Sequence, residues 1–77
     1  MDIRIEYCVQ WNYKPRARSL RFDINDMFGF WAEIVPGAKG AFEVYVDEQL
    51  IFSKLQEDRF PNENEIIEFI EGLENVR

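Results

Sequence analysis

Residues 2–7 set Ile3 and Ile5 against Arg4 and Glu6, and a period of two marks a strand with one buried face. A short loop, 8–12, follows. Ala17, Leu20, Ile24 and Met27 then recur at spacings of three and four, which predicts a helix to about Phe28 with a single apolar stripe. Asn12 is the expected N-cap, which places Pro15 in the first turn, where its missing N–H costs least, and Gly29 is the expected stop. Trp31 to Val35 predicts a second strand, ended by Pro36-Gly37-Ala38-Lys39-Gly40, a stretch that continues neither helix nor strand. Residues 41–47 alternate most clearly, with Phe42, Val44 and Val46 on one side and Glu43, Tyr45 and Asp47 on the other. A turn around Glu48 and Gln49 leads to a fourth strand at Leu50 to Ser53, so 41–53 reads as a hairpin. After a charged connection over 54–61, Asn62 followed by Glu65 resembles a capping box. It opens a helix expected to bury Ile66, Ile67, Phe69, Ile70 and Leu73 and to solvate Glu63, Glu65, Glu68, Glu71 and Glu74.

The order β-α-β-β-β-α predicts an α/β (α+β) domain, one four-stranded mixed sheet with two helices, occupying residues 1–77 as a single unit. A chain of this size buries only about 60% of the surface its unfolded form exposes. Seven Phe, three Tyr and two Trp compensate, each bringing a large area to a thin core. One cysteine cannot form an internal disulfide, so stability has to come from packing.

Charge narrows the partners. A net charge of −6 argues against nucleic acid or an anionic membrane, since both need a cationic surface. The charge is uneven, however: residues 1–40 carry six Lys/Arg and five Asp/Glu, residues 41–77 three and ten. Lys14, Arg16, Arg18 and Arg21 follow closely on Cys8, so thiol and basic patch are expected at one end. Arg18 and Arg21 read as the solvated face of the helix. The first residues hold neither a charged nor an apolar leader region, no apolar run approaches the ~18 residues that span a bilayer, and a lone thiol suits a reducing compartment; the expectation is cytoplasmic.

Cys8 stands where a strand gives way to a loop and helix. A thiol just ahead of a helix N-terminus, with Lys14 and Arg16 nearby, is expected to titrate below the free-thiol reference of about 8.5. The competing reading is a small buried hydrophobe. Trp11, three residues on, is either a loop-tip binding aromatic or a plug packed on Tyr13 or Phe42. Without histidine there is no Ser-His-Asp triad or His-containing zinc site, and one cysteine builds no thiolate cage, so neither metal nor cofactor is expected.

The segments Ile5-Glu6-Tyr7-Cys8, Pro15-Arg16-Ala17, Val35-Pro36-Gly37, Gly40-Ala41-Phe42-Glu43-Val44, Val46-Asp47, Leu50-Ile51 and Arg59-Phe60-Pro61 span most of the chain. In that order they resemble the bacterial and archaeal members of the selenoprotein W-like family, the wider group of selenoproteins W, T and H. The resemblance implies a thioredoxin-like fold and thiol redox chemistry, with Cys8 at the first position of the family's C-x-x-C or C-x-x-selenocysteine loop. Trp11 occupies the second position, so any resolving thiol has to come from outside. Two functions follow as expectations. One is a monothiol redox protein forming mixed disulfides with glutathione, as co-substrate, or with a thiol protein, Tyr7, Trp11, Lys14, Arg16 and Phe42 lining the thiol loop. The other is a non-redox binding module using Trp11 and the basic patch.

Overall fold

The computed structural model of the chain describes residues 1–62 and 64–75. Strands β1 (Ile3–Tyr7), β2 (Glu33–Pro36), β3 (Phe42–Val46) and β4 (Gln49–Ser53) form one mixed sheet in the order β2-β1-β3-β4. Helix α1 (Lys14–Phe28) carries the chain from β1 to β2, which pair parallel. β1 pairs antiparallel with β3, and β3 with β4. The buried positions of β1 and β3, Ile3, Ile5, Tyr7, Phe42, Val44 and Val46, meet Ala17, Leu20 and Ile24 of α1 and Ile66, Ile67 and Ile70 of the last helix, α3 (Glu65–Asn75), in one core. Glu63, assigned above to the solvated face of that helix, lies outside the described residues.

Several details differ from the sequence reading, each for a local reason. Asn12 is not the cap: it takes a left-handed conformation, φ 57°, which Asn tolerates, inside a turn closed by its own N–H to the Val9 carbonyl at 3.1 Å. Tyr13 is the N-cap and makes no side-chain capping bond; Pro15 sits in the first turn. Met27 is exposed and Phe28 packs on the core instead, because a repeat of 3.6 carries the stripe from Ile24 to the fourth residue on. In α3 the buried arc is filled by Ile66, Ile67 and Ile70, which leaves Phe69 and Leu73 on its flank and exposed. β2 starts at Glu33 rather than Trp31, whose ring stands exposed against Phe22.

The hairpin turn is Asp47-Glu48, one residue earlier than expected. Both have positive φ, 49° and 70°, the conformation in which a two-residue turn matches the twist of its strands. The charged connection after β4 contains a third helix, α2 (Lys54–Glu57). A single turn is too short for periodicity to reveal it.

Candidate functional site

β1 delivers Cys8 to the end of the sheet, where the Cys8 N–H continues the ladder to the Ala41 carbonyl at 2.9 Å. The chain then folds back on itself. Tyr13 N–H reaches the Cys8 carbonyl at 3.1 Å, and the Trp11 N–H points at Cys8 Sγ, 3.4 Å away. The segment 36–40 closes over the same end: Gly37 N–H donates to the Tyr7 carbonyl at 2.8 Å and Ala41 N–H to the Ala38 carbonyl at 3.0 Å. Gly40 has φ 78°, and a Cβ there would meet the Trp11 ring at 3.0 Å, so the indole lies directly on glycine backbone. This is the physical reason for the second glycine of the Pro36–Gly40 turn.

The thiol is covered, with Cys8 only 1% exposed. The cover is shallow, since Trp11, half of whose surface is exposed, forms part of the surface beside it. Burial pushes the thiol up, but the backbone N–H groups of Gly40, Trp11 and Gln10, with the charge of Lys39, together outweigh it and hold Cys8 below its ordinary value. The sequence reading gave the cationic role to Lys14 or Arg16. Lys14 is instead exposed at the start of α1, and Arg16 lies across the Phe60 ring with its guanidinium carbon 4.0 Å from the centroid. Lys39, from the turn before β3, supplies the charge, and loop N–H groups rather than a helix end supply the donors.

Around Trp11 the structure gathers side chains from four segments. Tyr13 meets the indole edge-on at 6.1 Å and Phe60 at 4.7 Å, and Phe60 meets Phe42 at 5.4 Å. Lys39 and Lys54 each lie 6.0 Å from the Trp11 ring centroid, and Lys54 also stands 5.3 Å from the rings of Tyr13 and Phe60. Tyr7 is core, buried between its partners Phe42 and Pro36. Phe42 is buried too and forms one wall of a cleft of about 300 Å³ between α1 and α3, whose other walls include Arg16, Leu20 and Phe60 but not Cys8. Of the six residues singled out, Cys8 and Trp11 are in direct contact. Lys14 points into solvent at the start of α1, and Arg16 and Phe42 reach the cluster through Phe60.

Sequence reasoning missed Lys39, Lys54 and Phe60. A signal existed for two of them, since Lys39 lies inside the glycine turn and Phe60 inside Arg59-Phe60-Pro61. The Arg59 fork grips Glu65 through two bonds, 2.9 and 3.1 Å, and Asn62 N–H donates to the same carboxylate at 3.0 Å, which fixes the entry to α3 and holds Phe60 over the site.

Residues 2–72 match the model of the Rdx family. The chain is 34% identical to "Migration and invasion enhancer 1" of Bos taurus over 74 residues, 95% of this chain and 64% of that protein. The Mus musculus protein of the same name is 32% identical over 76 residues, 97% and 66% of the two chains. The chain thus spans just under two thirds of the length of these relatives. Among solved structures, a selenoprotein W-related protein from Vibrio cholerae superposes with a TM-score of 0.86 at 25% identity, covering 94% of both chains. A protein from Bordetella parapertussis does so with a TM-score of 0.74, also at 25% identity, covering 79% and 81%. The mixed four-stranded sheet and its helices are those of this thioredoxin-like fold.

Proposed function

Because the chain belongs to the Rdx family, a group related to thiol redox chemistry, we propose that it acts through Cys8 alone, exchanging mixed disulfides with glutathione or a partner protein. The observation that carries the reading is the Trp11 N–H pointed at Cys8 Sγ, 3.4 Å away, which with the Gly40 and Gln10 N–H groups and the charge of Lys39 favours the thiolate despite its cover. In the step envisaged, the Cys8 thiolate attacks a disulfide of the partner. One S–S bond forms as the other breaks, and the departing sulfur leaves as a thiolate that takes a proton from solvent. A second thiol from outside reverses the exchange. Trp11, where the family carries its second sulfur, offers no internal resolution.

Mass spectrometry after peroxide and glutathione treatment tests this. A single glutathione adduct on Cys8 of the folded protein is expected, through a sulfenic acid condensing with the external thiol. Trp11→Cys is then expected to abolish the adduct by closing an internal disulfide, because the Trp11 N–H already reaches Sγ and an intramolecular thiol outcompetes an external one. A folded protein left unmodified under conditions that oxidise free glutathione overturns the reading. A second reading, a binding module in which Cys8 merely packs, draws on the coverage of the sulfur and the exposure of Trp11. It predicts alkylation of Cys8 only on unfolding.

A further inference from the structure

The chain has fifteen Asp and Glu for nine Lys and Arg, yet among the described residues the ion pairs use only Arg4 and Arg59. Lys14, Arg16, Lys39 and Lys54 have no carboxylate within ion-pair distance among the described residues, and Lys39 and Lys54 converge on one half-exposed indole. Two carboxylates of the adjoining strands are committed elsewhere. Glu6 pairs with Arg4, and Glu43 is buried, accepting the Ser53 hydroxyl and the Leu55 N–H. In a molecule with surplus negative charge, two lysines held within about 12 Å of each other, both measured from the same ring centroid, form a local positive field around an exposed aromatic surface.

We infer that the Lys39–Trp11–Lys54 surface docks an acidic peptide segment of a partner protein, its main chain lying across the indole and its carboxylates reaching the two ammonium groups. The spacing suits such a ligand. An extended peptide rises about 3.3 Å per residue, so side chains two or three positions apart are roughly 7–10 Å apart, within the reach of both lysines. Long polyanions fit less well. Nucleic acid carries its charge continuously and has to run off this small patch onto a surface dominated by carboxylates, which repel it. The inference rests on the proposed thiol function for one point only, that the docked segment lies beside Cys8. It requires no thiol chemistry itself.

The test is fluorescence anisotropy with a fluorescein-labelled octapeptide of alternating Glu and Ser, titrated against the full Cys8→Ser chain at low salt, so that no disulfide contributes. Saturable binding is expected, weakened about tenfold or more in a Lys39→Gln, Lys54→Gln double variant and restored when both are Arg, with Arg18→Gln as an unaffected control. In the unsubstituted protein the Trp11 indole N–H resonance is expected to shift on peptide addition while that of Trp31 stays in place. Unchanged affinity in the double variant, equal affinity for the Gln/Ser version of the peptide, or equal affinity for an oligothymidylate of the same charge overturns the inference. Glutathione adducts on Cys8 without peptide binding would sink this inference and leave the redox reading standing. Peptide binding with an inert Cys8 would do the reverse.

Discussion

Cys8 is a residue on which two opposed effects act at close range. Taking the sulfur out of water disfavours the thiolate, while three backbone N–H groups and Lys39 favour it and prevail. A thiol whose value is lower in the folded state than in the unfolded one adds stability above the unfolded value and loses it as pH falls through the folded value. The wild type is therefore expected to gain on Cys8→Ser as pH rises toward the free-thiol value of about 8.5, where the unfolded thiol ionises as well, and the gain levels off beyond. Urea midpoints of the two proteins between pH 6 and 10 measure the difference. A gap that stays flat or narrows with rising pH shows that the donors do not act on the sulfur. Cys8 and Trp11 were legible in the sequence because both belong to one short loop. Lys39 was not: it lies 31 positions away and comes alongside only through the α1 crossover and the turn before β3.

At the scale of elements, α2 shows what alternation can and cannot reveal. The pattern of 42–47 turned Glu43 away from the core, and it does lie on that face, yet it is only 6% exposed because α2 covers it. One of its oxygens accepts the Ser53 hydroxyl and the other the Leu55 N–H at 3.3 Å, while Ser53 Oγ in turn caps α2 by accepting Gln56 N–H at 3.2 Å. A buried carboxylate and an N-cap serine thus hold a helix too short to persist alone. Glu43→Ala leaves the Ser53 hydroxyl and Leu55 N–H without their partner and is expected to cost roughly 1–3 kcal/mol. Amide exchange at Leu55 is expected to accelerate more than at Val44 in the neighbouring strand. Equal acceleration at the two would mean that Glu43 contributes only to global stability and does not hold α2. The longer elements were readable because a strand of five or a helix of eleven residues repeats its pattern. Boundaries moved where a turn, not a pattern, decided them, as at Asn12 and Asp47.

Across the whole molecule, the aromatic cluster joins the candidate site to the core, and Phe60 is the joint. Its ring meets Tyr13 ahead of α1 and Phe42 in β3, with Arg16 and Lys54 stacked against it, and the Arg59–Glu65 pair keeps it there. A chain of 77 residues has a thin core and a stability of only about 5–15 kcal/mol, so one shared ring is a sizeable fraction of the total. Phe60→Ala is expected to cost about 2–4 kcal/mol, less than a fully buried phenylalanine because this ring is only partly covered. If the ring couples the site to the core, tryptophan emission, which reports Trp11 and Trp31, and far-ultraviolet circular dichroism should shift together to a lower urea midpoint. An emission change that precedes the loss of circular dichroism would show that the Trp11 end loosens on its own. A loss below about 0.5 kcal/mol, the range of ordinary surface substitutions, would show that Phe60 covers the site without supporting it.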